Sequence, residues 1–163
     1  MILGMSPLLF VHVALSLVGI ATGLVFFYGL LTGKSHGGLT AVFLATTVLT
    51  SLTGFPLPAT QILPSHIVGV LSLLLLAVAI VALYVHHLAG RWRWIYVATA
   101  LAALYLNVFV GVVQSFQKLA FLKRLAPTQS EPPFLIAQVL VLALFVVLGI
   151  VAAKRFRPLT HAA

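Results

Sequence analysis

The chain predicts an all-α bundle of five transmembrane helices, N-terminus outside and C-terminus in the cytoplasm. Three observations carry that prediction. Of 163 residues, 63% are apolar and 6% charged, with mean hydropathy +1.24. A soluble domain is about 25% charged, so nine Lys and Arg plus one acid cannot furnish a water-facing surface. Apolar runs able to cross a hydrocarbon core of about 30 Å recur five times between Gly and Pro punctuation. Finally, the cations fall unequally on the two sides that five crossings create.

The first span, about 7–31, is opened by Ser6-Pro7 and closed by Gly33-Lys34. Ser6 can cap the helix, and Pro7 suits its first turn, where no N–H is missed. The N-terminus lacks a basic n-region and the run is too long for a cleaved signal, so it reads as a retained span. The second, about 39–55, lies between Gly37-Gly38 and Pro56-Leu57-Pro58. With ~17 residues rising 1.5 Å each, it barely reaches across. The third, about 64–87, ends at Gly90-Arg91.

The fourth span, about 93–118, meets no punctuation until about Leu125. A continuous helix of ~33 residues and ~50 Å must protrude from the lipid. Its outer part carries Gln114, Gln117, Lys118, Lys123 and Arg124. The fifth span, about 132–153, is entered through Ser130-Glu131-Pro132-Pro133, where an acid complements the positive end of the helix. Residues 1–163 thus read as a single membrane domain.

One side of this topology holds Lys34, Arg91, Arg93, Lys154, Arg155 and Arg157; the other holds Lys118, Lys123 and Arg124 with Glu131. The positive-inside rule assigns the richer side to the cytoplasm. Trp92 and Trp94 fit its aromatic belt. The formal charge of +8 therefore sits at the membrane ends, and no basic stripe alternates with exposed aromatics as a nucleic-acid face requires. The partner is the lipid bilayer. His36, His86 and His87 read as solvent-facing residues of the cytoplasmic side, and His161 belongs to the tail. His12, Tyr28 and Gly33-Lys34 are echoed by His66, Tyr84 and Gly90-Arg91. The echo is either a parallel duplication of a helix hairpin or the common ending of spanning helices.

A single acid, Glu131, excludes paired-carboxylate hydrolysis, two-metal phosphoryl chemistry and Ca²⁺ or Mg²⁺ cages, which need several carboxylates. The lack of cysteine excludes a catalytic thiol and zinc-ribbon sites. No catalytic residue is assigned.

Polar residues inside lipid are costly and therefore informative. Here they gather toward the outer half. His12 lies early in the first helix and His66 in the first turn of the third. Asn107, Gln114 and Lys118 share a face of the fourth at helical spacing. Gln138 sits about two turns into the fifth, and Thr46, Thr50 and Thr53 form a stripe on the second. If these faces converge, they line an outward-facing polar pocket with His12 and His66 at its mouth.

Two imidazoles on separate helices at similar depth suit a b-type haem, whose iron takes a nitrogen on each face. With a third ligand they suit Cu or Zn. Alternatively each histidine makes an interhelical hydrogen bond and binds nothing. Gly19-Ile20-Ala21-Thr22-Gly23 is a GxxxG expected to pack within the chain.

The stretch Ala103-Leu-Tyr-Leu-Asn-Val-Phe-Val-Gly-Val-Val-Gln114-Ser-Phe-Gln117-Lys118, followed by Leu125-Ala-Pro-Thr-Gln-Ser-Glu131-Pro-Pro-Phe134, resembles a signature of small uncharacterised bacterial inner-membrane proteins. That resemblance implies a multi-pass location in a bacterial cytoplasmic membrane and carries no activity. The expected function is a non-hydrolytic membrane protein binding a redox cofactor or ligand, haem b first. A structural or assembly subunit of a larger membrane complex and a small-solute conduit are the alternatives.

Overall fold

A computed structural model describes residues 6–34, 37–57 and 64–157, which form helices and connecting turns with no strand among them. The helices are α1 (Pro7–Thr32), α2 (Gly37–Gly54), α3 (Pro64–Ile80), α4 (Trp92–Lys118), α5 (Ala120–Leu125) and α6 (Pro132–Arg155). Five helical stretches are long and apolar enough to cross a membrane, the third running through the π turn that ends α3. The protein is a multi-pass, all-α membrane bundle. His36 and His161 lie outside the described residues.

Local chemistry sets the ends of α1 as the sequence predicts. The Ser6 hydroxyl accepts from the Leu9 amide at 3.3 Å, with Pro7 in the first turn. At the other end Gly33 takes φ +70°, a left-handed conformation that suits glycine, and the Lys34 amide donates back to the Gly29 carbonyl at 2.8 Å.

Helix α4 is the centre of the bundle. It packs against α1, α2, α3 and α6 and holds eight buried residues, from Tyr96 to Phe116. The other four spanning helices form an arc in the order α3, α2, α1, α6. Lipid offers no hydrophobic drive for helix association, so close packing has to supply it. The GxxxG does so within the chain: a Cβ on Gly23 would lie against Leu104 and only 2.9 Å from the Phe43 ring.

Helices α1 and α2 run antiparallel in a steady register, with His12 beside Thr53, Gly19 beside Thr46 and Thr47, and Gly23 beside Phe43. Below Gly23 the interior is aromatic. Phe26 stacks on Phe43 with centroids 5.1 Å apart and meets Tyr96 edge-on at 6.0 Å. Above it lie the buried polar side chains Thr47, Thr50, Asn107 and Gln138. The bundle thus has an aromatic half around Phe26, Phe43 and Tyr96 and a polar half around those four, although Thr40 is buried in the first and Phe116 in the second.

Two sequence expectations change. Helix four is not continuous to Leu125: it ends at Lys118, Leu119 adopts extended angles (φ −82°, ψ 116°), and α5 begins at Ala120. A straight helix to Leu125 would carry the chain about 10 Å farther from the bundle. The following turn instead returns to α4, where Gln129 donates to the Val113 carbonyl at 3.2 Å and Phe134 packs edge-on against Phe116. The third span reaches Val85, close to its expected end, but its α-helical part closes at Ile80 and the residues beyond it are not a loop. A π turn over Val81–Val85 follows, closed by His86 N–H donating to the Val81 carbonyl at 3.1 Å. His86 is consequently not a free loop side chain; its ring lies 3.7 Å from that of Trp92 and nearly parallel to it. His87 is exposed.

Candidate functional site

The polar half is built from hydroxyls, amides and imidazoles. In hydrocarbon a hydroxyl satisfies itself by donating to a carbonyl one turn back. Ser16, Thr46, Thr47, Ser51 and Thr53 all do this, at 2.7–3.0 Å. Thr50 does not: its Oγ1 is buried without a hydrogen-bond partner.

His12 on α1 reaches α2, with Nδ1 3.1 Å from Thr53 Oγ1. The single Thr53 proton is directed at the Leu49 and Thr50 carbonyls, at 2.8 and 3.2 Å. A Thr53 hydroxyl that donates to these carbonyls can accept from a protonated His12 Nδ1, the tautomer that leaves Nε2 with its lone pair. Gly54 admits the ring: a Cβ there would sit 3.4 Å from His12 Cε1. His66 meets the same end of α2, its ring 5.9 Å from that of Phe55. Both imidazoles thus flank the C-terminal end of α2. The interhelical hydrogen bond that was the alternative reading for these histidines is present at His12.

Deeper in, Asn107 is buried and its Nδ2 has no partner. It faces the notch left by Gly19, where a Cβ would be 3.1 Å from Asn107 Nδ2 and 3.3 Å from each of Thr46 Oγ1 and Thr47 Oγ1. This level lies within about one turn of the midpoints of α1 and α4. Gln138 on α6 is buried as well. Its Nε2 donates to the Phe109 carbonyl at 3.3 Å, while its Oε1 has no partner. Three helices thus contribute an unpartnered hydroxyl, an unpartnered amide donor and an unpartnered amide acceptor.

The structure separates the predicted residues into two groups. Asn107, Gln138 and Thr50 are buried inside the bundle, with His12, His66 and Thr53 half-buried near its end. Gln114 and Lys118 share Asn107's face of α4 but are exposed, while Phe116 between them is buried against Phe134. Thr47, buried beside the Gly19 notch, was missed by the sequence reading. Its position one turn from Thr50 and Ser51, on the side facing α1, was the available signal.

The loop between α5 and α6 is organised by the only acid of the sequence, Glu131. Glu131 Oε1 accepts from the Thr128 hydroxyl at 2.8 Å and the Thr128 amide at 3.1 Å, and Oε2 from the Ser130 amide at 3.1 Å. Desolvation pushes the carboxyl up, but these hydrogen bonds, the Thr128 hydroxyl foremost, outweigh it and hold the group below its ordinary value. The carboxylate thus folds the loop preceding α6, while Gln117 reaches Gln129 at 3.4 Å.

Among the described residues no group of three His, Cys, Asp or Glu side chains is placed to hold a metal ion. The chain matches no protein-family model, no curated protein and no solved structure.

Proposed function

We propose that this chain is a ligand-binding protein of the bacterial cytoplasmic membrane, N-terminus outside, which takes its ligand in the polar half of the bundle. The observation that carries the reading is the set of unpartnered buried atoms, Thr50 Oγ1, Asn107 Nδ2 and Gln138 Oε1, lying inward of His12. Leaving such atoms without partners in a membrane interior is costly, and a ligand with matching donors and acceptors removes that cost. The aromatic half formed by Phe26, Phe43 and Tyr96 supports a closed-ended site over a through-path.

Within this reading, haem b is the first ligand. A bare Zn or Cu ion needs three or more protein ligands, whereas a haem iron needs one imidazole on each face. His12 is prepared for that role. Its Nδ1 meets the Thr53 hydroxyl, the arrangement that orients a ligating imidazole through Nε2. His66 would be the second ligand. The positive-inside bias of the loops supports the orientation.

The test is spectroscopic. Protein purified in detergent from haem-replete cells is expected to show a Soret band that disappears in a His12→Ala/His66→Ala double variant. Colourless, metal-free protein would overturn the haem assignment. A reporter fused after Arg157 is expected to be active only on the cytoplasmic side; activity on the outer side would reverse the site's orientation.

A further inference from the structure

The arc of helices around α4 leaves part of its surface uncovered beside α6, and a groove of about 530 Å³ runs there. Its walls are apolar. Ala98 and Ala102 on α4 and Gly149 on α6 contribute little bulk, which gives the groove its depth. On α4 it extends from Trp94 to Tyr105, about 16 Å at 1.5 Å per residue. One leaflet of a ~30 Å hydrocarbon core has that depth.

The two ends of the groove differ. At the Trp94 end it is closed by Lys154, its one charged lining residue. Arg93 adds a second cation there, held 4.8 Å over the Trp94 ring and donating to the Phe156 carbonyl at 2.7 Å. Arg91, Arg155 and Arg157 extend the same basic end. The single acid of the chain, Glu131, stands at the opposite end of α6. Among the described residues no acidic side chain stands at this end.

We infer that the α4–α6 groove is a retained-lipid site for an anionic phospholipid, one acyl chain lying against Ala98, Ala102 and Gly149 and the headgroup phosphate meeting Lys154 beside Trp94. Charge complementarity selects the headgroup. Width selects the chain: helices in contact lie 8–10 Å apart, and the groove between them is narrower than another helix, which is about 10–12 Å across with its side chains. The site is independent of the polar half of the bundle and of what binds there.

The test uses the full chain carrying Trp92→Phe, which leaves Trp94 as the only indole of the two in the sequence. It is reconstituted in phosphatidylcholine vesicles doped with either phosphatidylglycerol or phosphatidylcholine brominated in the upper part of the acyl chain. Half-maximal quenching of Trp94 is expected at a roughly five-fold lower mole fraction of the anionic lipid. Lys154→Gln is expected to bring the two lipids to within about two-fold. Gly149→Leu fills the groove and leaves every cation in place, and it is expected to abolish the preference too. A Cβ at Gly149 would meet Leu101 at an ordinary 3.6 Å, so the backbone there has room for the start of a side chain. Ala98→Leu, at an exposed position on the opposite wall, is the second groove-filling variant. Equal quenching by both lipids in the parent overturns the inference. So does a preference that survives both fillings, which would mark general attraction to a charged surface. Quenching by neither lipid, together with dimerisation that rises with protein density, would mean that a second copy covers the groove and would overturn it as well.

Discussion

His12 Nδ1 and Thr53 Oγ1 are 3.1 Å apart, joining α1 to α2 across 41 residues of sequence. The contact marks the level at which the two helices meet. In lipid, interhelical side-chain hydrogen bonds are worth about 0.6 kcal/mol on average, with a maximum near 1.7. A double-mutant cycle over His12→Ala and Thr53→Val, read from unfolding in detergent, is therefore expected to give a coupling of roughly 0.5–1.5 kcal/mol. Strict additivity would show that the bond does not form.

The unpartnered atoms predict a trade between stability and binding. Thr50→Val keeps the shape of the side chain and removes a buried hydroxyl that has no partner. It is expected to stabilise the ligand-free protein by about 1 kcal/mol while weakening ligand retention. Loss of stability in thermal melts of the ligand-free form would show that the hydroxyl is satisfied.

Two glycines with the same helical setting predict opposite outcomes. At Gly23 a side chain would strike Leu104 and the Phe43 ring, so Gly23→Val is expected to cost about 1–3 kcal/mol through overpacking. At Gly111 a Cβ would meet only Ile20, at 3.4 Å. Gly111→Ala is expected to be neutral or stabilising by up to about 1 kcal/mol, from helix propensity. Melting temperatures of the two variants in one detergent check the contrast.

The loop before α6 predicts a pH dependence. The Glu131 carboxyl is held below its ordinary value in the folded loop, so its contribution is fully present above the ordinary carboxylate range. It is lost as pH falls through the lower folded value. Hydrogen exchange of the Thr128 and Ser130 amides, corrected for the intrinsic pH dependence of exchange, is expected to lose protection over that acid window. Glu131→Gln is expected to weaken that protection at neutral pH. Protection that is the same in acid and in the variant would remove the carboxylate from the loop's structure.

What was legible in the sequence follows from the kind of signal each feature leaves. The five spans were legible because hydropathy and the punctuation around Pro7, Gly33, Gly90 and Pro132 are local. Burial of Asn107 and Gln138 was legible because a polar side chain in an apolar run has to face inward. The break at Leu119 was not: no Gly or Pro marks it, and the return of Gln129 and Phe134 to α4 depends on residues that are distant in sequence. Gln114 and Lys118 were legible as part of the protruding end of helix four, but not as lying outside the pocket that their face suggested. Helical spacing gives the face on which they lie, but not where along α4 the neighbouring helices end. The partnering of His12 by Thr53 needed the antiparallel register of α1 and α2, which neither helix encodes alone.

The central position of α4 has a consequence for how the protein is made. Chain order delivers α1, α2 and α3 to the membrane before α4 exists, so the Gly19 notch and the Thr47–Thr50 strip enter the bilayer without the helix that will cover them. During that interval a hairpin with a hydrophilic seam stands in lipid, and only the emergence of residues 92–118 seals it. The last helix then adds Gln138 to an interior already closed on its other sides. Biogenesis of this bundle therefore has one decisive moment, the arrival of its fourth crossing. Whatever shelters the first three helices until then, the insertion machinery or a companion protein, acts on a seam that the finished molecule no longer displays.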